Sequence, residues 1–549
     1  MPIRIVIVGG VAGGMSAATR ARRLNEQASI TVLEKGGFIS YANCGLPYYL
    51  DGRITPSDKL LLTNPPAVAS RYNIDARVGH KVLRIDREQK QVEVQESATG
   101  RTYHLPYDKL ILAQGANPII PAADHVTAPN VFVVRAVEDI LGIDACIKGT
   151  DAKKAVIVGA GYIGLEMAET LHHAGLEVTV IEKMPHPLPI QDPEMVVPVR
   201  EALASAGVEL LTGDGFKSLQ ADAHAAPVAA VQTESGRTIP ADLVILSIGV
   251  RPNIALAQSA HLEIGPSGAV KVDEYQRTSD TDIYAVGDMA EVIHGVTGQP
   301  TRIPLAGPAN RAGRLAGEHA ATGQSAPAGR ILGTAIVQVF DIACGITGLS
   351  EAAARRAGLD VDTAYVLPAH HASYYPGAKQ MRLKLVYEKP TGRILGAQAT
   401  GQEGIDKRLD IIATAIHFGG TIDDLAELDL AYAPQFGAAK DPIHFAAFVA
   451  QNQRADLTPA TAPHWGAADR MLIDVRTPQE FAAGAMPGAI NIPLDQLRNR
   501  LGQLNSAKPI TVHCQVGLRG HVATRILKQH GFTDVLNMKG GYLMAKATA

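Results

Sequence analysis

Two segments in which an apolar strand runs into a glycine turn and then a helix, roughly 150 residues apart, predict an α/β protein with two parallel sheets, one nested within the other in sequence. Residues 3–8 run into Gly9, and residues 155–158 run into Gly159. Two later apolar stretches also end at glycine, 107–112 before Ala113-Gln114-Gly115 and 243–248 before Gly249, as strands returning to a ligand edge do. The second unit therefore interrupts the first. A strand over 278–286 ending in Gly287-Asp288 and a helix over 307–321 complete the outer one, which predicts domains at 1–112 with 249–325, and at 113–248.

Downstream, the alternation over 381–387 and 394–399 followed by a helical pattern over 404–418 predicts an α+β unit at 326–450. Residues 451–464, with the polar, Pro- and Ala-rich stretch 452–463, read as a linker. A last compact α/β unit is expected at 465–549, from about Trp465.

The bulk numbers agree with several domains. At roughly 100–200 residues per domain, 549 residues hold three to five, and 46% hydrophobic content with 19% charge is ordinary for globular α/β chains. The 53 glycines exceed the usual share, an excess that turns and phosphate loops absorb. A net charge of −3 argues against a nucleic-acid partner. The opening residues carry no basic leader, long apolar span or cleavage site, so a cytoplasmic protein without a membrane partner is expected. Cys44, Cys146, Cys344 and Cys514 show no CxxC spacing, which speaks against a disulfide framework or a metal site. Any cysteine with chemistry is then a reactive thiol; Cys146 and Cys344, in apolar surroundings, are expected to be small core residues.

The second turn, Gly159-Ala160-Gly161-Tyr162-Ile163-Gly164, is a full dinucleotide fingerprint, with Glu182 ending the next strand. Gly159 and Gly161 permit the tight turn and close pyrophosphate approach, Gly164 permits helix–strand packing, and the helix N-terminus supplies a positive field. Glu182 faces the ribose hydroxyls and favours NADH over NADPH, although Lys183 beside it blurs that preference. The first turn, Gly9-Gly10-Val11-Ala12-Gly13-Gly14, has Val11 where the middle glycine belongs. Glu34, twenty residues after Gly14 and followed by Lys35, again has the ribose-carboxylate spacing. Asp288 after Gly287, at a strand end facing such a site together with Gly115, suits a ribityl hydroxyl, which a flavin has and a nicotinamide lacks. Two dinucleotides on one chain imply hydride passing from NAD(P)H to FAD. On these residues the chain resembles, over about residues 1–450, the pyridine nucleotide-disulfide reductase branch of the two-dinucleotide flavoproteins.

Cys44, in Ser40-Tyr41-Ala42-Asn43-Cys44-Gly45-Leu46-Pro47-Tyr48-Tyr49, sits at the expected start of a short helix, a location predicted to lower its pKa. Many relatives carry a cysteine pair with four residues between them here; this chain has Tyr49 at the second position, so the second sulfur must come from a ligand. Two single-cysteine families remain open: coenzyme A-disulfide or persulfide reductases, and NADH peroxidases or oxidases acting through a sulfenic acid. The latter carry a histidine in the first glycine turn, and residues 9–15 have none. The string Val8-Gly9-Gly10-Val11-Ala12-Gly13-Gly14-Met15-Ser16, followed by Arg20, Arg22 and Arg23, is similar to the coenzyme A-disulfide reductases. That resemblance implies coenzyme A contacts at Ser16, Arg20, Arg23, Ser40 and Asn43, with Arg71 standing in for a family lysine replaced here by Tyr72. It also implies that Tyr374, Tyr432 and Lys440 reach the site from the opposite subunit of a homodimer, with Gln435 replacing a family proline. Glu403 and Lys407 are read as a solvated turn and helix start.

The C-terminal strings Ile473-Asp474-Val475-Arg476, Glu480-Phe481, Met486-Pro487-Gly488-Ala489-Ile490-Asn491 and His513-Cys514-Gln515-Val516-Gly517-Leu518-Arg519-Gly520 resemble a rhodanese domain. Cys514 should end a strand and open a loop before a helix over 522–530, so that loop amides support a thiolate or persulfide, with Arg519 beside it. The expected whole is an FAD-dependent reductase that uses NAD(P)H to reduce coenzyme A persulfide, polysulfide or coenzyme A disulfide through Cys44, while Cys514 handles sulfur from a sulfane donor. A redox-sensing binding protein is the expectation from another class.

Overall fold

The computed structural model describes residues 2–223, 226–463 and 469–548. Trp465, the expected start of the last unit, lies outside the described residues, as do His464 and Ala549. The described chain divides into two compact units, residues 1–187 with 204–333, and 188–203 with 334–549.

In the first unit, five parallel strands run in the order Ile283–Ala285, Lys109–Leu112, Arg4–Val8, Ser29–Glu34 and Asp75–Val78. A second parallel sheet runs Glu209–Thr212, Glu177–Glu182, Lys154–Val158, Leu243–Leu246 and Val131–Phe132. Their central strands read as unbroken apolar runs because both faces are covered, one by helices and the other by a three-stranded antiparallel sheet, within residues 80–106 for the first and 216–240 for the second: Ile5, Val6, Ile7 and Val8 are all buried, as are Ala155 to Val158. The nesting is visible in the connection. Ala116–Pro118, leaving the first sheet, pairs antiparallel with Val250–Pro252, returning to it. The helix Ala12–Leu24 packs on Ala306–Thr322 through small residues, with Gly313 and Gly317 letting the two backbones meet.

The second unit holds an antiparallel sheet in the order Ala335–Val339, Ile342–Gly348, Ile394–Gly401, Met381–Glu388 and Val361–Val366, backed by the helices Ile405–His417 and Pro442–Arg454. Arg408 is 1% exposed and spans from the first of these helices to Asp441 at 2.7 Å, which caps the second. Removing Asp441 strands a buried guanidinium, a loss of about 3–5 kcal/mol. The C-terminal parallel sheet runs Ala460–Thr461, Val535–Met538, Ile510–His513, Met471–Asp474 and Ile490–Asn491. The stretch read as a linker is therefore partly built into structure: the helix Pro442–Arg454 overruns its start, and Ala460–Thr461 is an edge strand. Polar composition marked a surface crossing there, and edge pairing supplied the order. No described helix is long and apolar enough to cross a membrane.

Candidate active sites

The two dinucleotide turns have the same backbone geometry. Gly9 and Gly159 both take φ +107°, where a Cβ would strike the carbonyl oxygen of Ala113 at 2.3 Å or of Ser247 at 2.5 Å. A Cβ on Gly14 would lie 1.8 Å from the Gly9 oxygen, and one on Gly164 would lie 1.9 Å from the Gly159 oxygen, so helix and strand meet only through glycine. Glu34 accepts the N–H groups of Gly10 and Gly36 at 2.8 Å; Glu182 accepts those of Ala160 and Met184 at 2.8 Å. Each carboxylate is thus locked at its strand end beside its turn. A Cβ on Gly161 would meet open space, the approach a pyrophosphate needs. Lys183 turns to Glu234 at 2.9 Å. Lys35, beside Glu34, is exposed.

Gly13, Gly287 and Asp288 come together around the first turn: a Cβ on Gly13 would lie 3.0 Å from Val286, and Asp288 lies in the short turn Gly287–Met289 directly after it. Asp288 also approaches Gly115, whose φ is +65°, and Arg135 borders both. Burial raises the Asp288 pKa against the pull of Arg135, which leaves a carboxyl short of solvent and suited to accepting a hydroxyl. Arg135 and Glu138, which accepts the Gly37 N–H at 2.8 Å, went unseen in the sequence because a loop and a helix start have no diagnostic spacing.

Cys44 is exposed, in the three-residue 3-10 turn Asn43–Gly45, followed by the four-residue helix Pro47–Leu50. The Ser40 N–H donates to the Gly10 carbonyl at 2.8 Å, so this segment is anchored on the first glycine turn. The expected lowering of the thiol pKa is not found. The surrounding protein raises it by desolvation, and the carboxylates of Glu166 and Asp288 raise it further. So short a helix sums few peptide dipoles, and two acids outweigh it. Glu166 is placed by Tyr48, whose hydroxyl donates to it at 3.1 Å, and burial raises the Glu166 pKa. Tyr48 and Glu166 were also unseen in the sequence, being 118 residues apart.

The arginines of the helix Ala12–Leu24 separate into different roles. Arg22 is buried and donates to the carbonyls of Tyr72, Asn73 and Glu26, a purely structural use. Arg20 pairs with Glu318 at 2.6 Å, and Ser16 donates to Asn310 at 2.6 Å, so both are engaged by the helix Ala306–Thr322. Arg23 lies 5.7 Å over the Tyr72 ring, and Arg23 and Arg71 lower the Tyr72 pKa. Tyr72 thus joins the two arginines rather than merely displacing a lysine. Asn43, Arg23 and Arg71 are exposed.

In the second unit, the Tyr374 and Tyr432 hydroxyls lie 3.0 Å apart, both exposed, and this bond raises the Tyr374 pKa. The Ala372 N–H donates to the Gly437 carbonyl at 2.8 Å, which ties their two loops together. Lys440 is exposed, three residues after Gly437. Lys407 falls inside the first turn of the helix Ile405–His417, 4.0 Å from Asp441. Cys344 is fully buried but not in apolar surroundings: Thr400 and Gln191 lie 3.2 Å from its sulfur, and burial pushes its pKa up to about 11. Burial also raises the Cys146 pKa, so neither thiol is activated.

Cys514 is buried directly after the strand Ile510–His513, and its sulfur accepts the Gly517 N–H at 3.1 Å. The helix begins at Leu518 rather than at 522, so Arg519 is in its first turn and not in the loop. Gly517, at φ +107°, makes the stop that lets the helix start so early. Arg519 forms a fork on Glu480 at 2.7 Å to each oxygen, and this bond lowers the Glu480 pKa to about 2. Thr477 and Glu480 also form a capping box, so Glu480 serves both its own helix start and Arg519, 39 residues away. The Tyr542 and Leu543 N–H groups grip the Cys514 and Gln515 carbonyls at 2.7 and 3.1 Å.

Family models match three stretches: a pyridine nucleotide-disulphide oxidoreductase model at residues 3–313, the dimerisation domain of that family at 334–441, and a rhodanese-like domain at 461–547. An NAD(P)H coenzyme A polysulfide/persulfide reductase of Pyrococcus horikoshii is 35% identical over 443 residues, 81% of this chain and 97% of that protein. The reduced CoADR-RHD of Bacillus anthracis superposes with a TM-score of 0.95 at 40% identity, covering 100% of this chain and 98% of that one. An NAD-dependent persulfide reductase from A. fulgidus gives a TM-score of 0.93 at 38% identity, covering 99% and 100%.

Proposed function

The chain belongs to the pyridine nucleotide-disulphide oxidoreductase family, and from that premise we propose that it reduces coenzyme A persulfide, polysulfide or coenzyme A disulfide through Cys44, using NAD(P)H and FAD, while Cys514 supplies or transfers sulfane sulfur. One observation carries the reading: a single cysteine anchored on the first of two matched dinucleotide turns, on a chain that also carries a built rhodanese cysteine loop. FAD, when bound, takes hydride from NAD(P)H and delivers two electrons to sulfur. Glu34, Gly9, Gly13, Gly14, Gly115, Gly287 and Asp288 are assigned to its site, and Gly159, Gly161, Gly164 and Glu182 to that of the pyridine nucleotide.

The Cys44 thiolate attacks one sulfur of the substrate; the substrate S–S bond breaks as a mixed disulfide forms, and the other sulfur leaves with the electron pair. For a persulfide, one NAD(P)H then yields a thiol, hydrosulfide and NAD(P)+. Because Glu166 and Asp288 disfavour charge on Cys44, its thiolate needs cationic or hydrogen-bonding support from what binds beside it. Arg23 and Arg71, with Arg20 once it shares or leaves Glu318, are assigned to the phosphates of coenzyme A, and Ser16, Ser40 and Asn43 to its arm. In a homodimer, the hydroxyl pair of Tyr374 and Tyr432 from the second copy stabilises the thiolate or supplies the proton to the leaving sulfur, and Lys440 of that copy helps to bind the substrate. The domain limits proposed are 1–112 with 249–325, 113–248, 326–450 and 465–549, in a cytoplasmic enzyme.

The test is flavin reoxidation after reduction by NADH. Coenzyme A persulfide should reoxidise the wild-type flavin and fail with Cys44→Ser. Oxygen or peroxide reoxidising it as fast as persulfide would replace this reading with an oxidase or peroxidase.

A further inference from the structure

We propose that Lys539 and Asp362 are positioning residues that seat the Cys514 loop on the α+β unit, in register for handing sulfane sulfur to a small thiol carrier bound for Cys44. This rests on the relay reading above and deepens it.

The seat has an ionic side and an apolar side. The Lys539 side chain is only 9% exposed; its ammonium pairs with Asp362 and lies 3.1 Å from the Thr363 hydroxyl, both residues belonging to the strand Val361–Val366. Beside it, Met195, Tyr365 and Leu367 pack with Met544, and Val516 and Leu543 press on that cluster. Val516 lies between Cys514 and Gly517, whose N–H holds the Cys514 sulfur, so the wall of the reactive loop is also the docking face.

The surface under the loop is rigid. Tyr365 donates to Glu194 at 2.6 Å, and its ring lies 5.0 Å from the Lys384 ammonium. Lys384 is 1% exposed and pairs with Asp192 at 2.7 Å, Glu194 at 2.6 Å and Glu351 at 2.9 Å; Arg355 holds Glu351 from the outer side at 2.7 Å. Asp362, which pairs with Tyr387 across the other face of the sheet, adds a carboxylate at the edge strand, and Lys539 is the cation that the rhodanese-like unit brings to that edge. Burial and the nearby Lys384 lower the Lys539 pKa against the pull of Asp362 and Glu351, so charge here is costly to keep. The rhodanese-like unit has its own core around Ile473, Val512, Ala523 and Leu527, and a tether alone raises local concentration. A buried ion pair adds what neither supplies, a single register.

In the step served, a carrier thiolate attacks the outer sulfur of the Cys514 persulfide. The carrier–sulfur bond forms as the Cys514 S–S bond breaks, the electron pair stays on Cys514 as thiolate, and the outer sulfur keeps its proton. No net oxidation occurs; NADH enters only later, at Cys44.

Asp362→Asn and Lys539→Met are made in the full-length holoenzyme and three rates compared: sulfur transfer from thiosulfate to cyanide, NADH oxidation by preformed coenzyme A persulfide, and NADH oxidation with thiosulfate and coenzyme A together. Both variants should keep the first two within about twofold and lose at least tenfold in the third, as a misplacement of about 1 Å does. An unchanged third rate overturns the proposal, and so does a first rate that falls in step with the third, which would make the contact a support of the loop alone. If these variants do not fold, Met544→Ala, which thins the apolar side of the seat, is read by the same three rates. A wild-type third rate that survives Cys514→Ser refutes the relay itself, a separate result.

Discussion

Cys44 and Cys514 are both single cysteines set just before helical turns, yet the chain treats their sulfurs in opposite ways. Around Cys514 the backbone provides for negative charge: the Gly517 N–H points at the sulfur, a twelve-residue helix starts at Leu518, and Arg519 stands in its first turn. Around Cys44 the helical segments are three and four residues long, and the charges that reach it, Glu166 and Asp288, are acidic. On the proposed reading, a site that holds a persulfide between donors carries its own stabilisation. A thiol that meets a charged substrate beside a cofactor leaves that role to what binds. A reactive cysteine is therefore recognised by its surroundings and not by a helix start alone.

The largest test of this contrast separates the two thiols. Cys44→Ser should reduce NADH oxidation by every sulfur substrate to background while leaving transfer from thiosulfate to cyanide intact, and Cys514→Ser should do the reverse; steady-state rates in both variants decide. If Cys514→Ser is as inactive as Cys44→Ser on preformed persulfide, sulfur enters only through the rhodanese loop and the sites are one pathway. Next in size, Gly541→Ala strikes the backbone that shapes the second site. Gly541 has φ +61°, and a Cβ there would sit 2.4 Å from the Cys514 oxygen. Cyanide-coupled transfer should fall by about tenfold or more, with persulfide-driven NADH oxidation unchanged.

A smaller effect is expected at the phosphate side of the first site. Arg20→Ala should raise KM for coenzyme A substrates about tenfold, the worth of one charge-assisted contact, while kcat and the rate on inorganic polysulfide hold. Equal losses on both substrates would leave Arg20 as nothing more than the partner of Glu318. The smallest effect is electrostatic. Glu166 raises the Cys44 pKa, so Glu166→Gln should shift the pH profile of Cys44 alkylation downward. The sign follows because the thiolate loses a neighbouring negative charge; mass spectrometry of the labelled Cys44 peptide reads it, and an upward shift would contradict the assignment of Glu166.

How far the sequence carried depended on distance along the chain. Gly14 and Gly164 announce their turns because the clash that demands glycine, with the oxygens of Gly9 and Gly159, lies five residues back in the same turn. The same locality made the strand ends at Glu34 and Glu182 legible. The helix Leu518–Gln529 starts four residues earlier than its sequence pattern predicts because Gly517 reads as an ordinary loop glycine until its φ of +107° is known. The row of arginines at 20, 22 and 23 looks like one feature in the sequence, but helical rotation of about 100° per residue sends Arg22 into the core and leaves Arg20 and Arg23 on other faces.

By itself, then, the sequence determined the nested pair of dinucleotide turns, the lone Cys44, and the rhodanese loop with its arginine, all of which are written in short-range spacing and backbone permission. Tertiary structure alone decided which charges meet. Arg20 finds Glu318 across 298 residues, Lys384 finds Glu194 across 190, and Lys539 finds Asp362 across 177. Such pairs set how segments distant in the chain are held against one another. Their energies depend on separation in space and on desolvation, and neither is encoded in the spacing of residues along the chain.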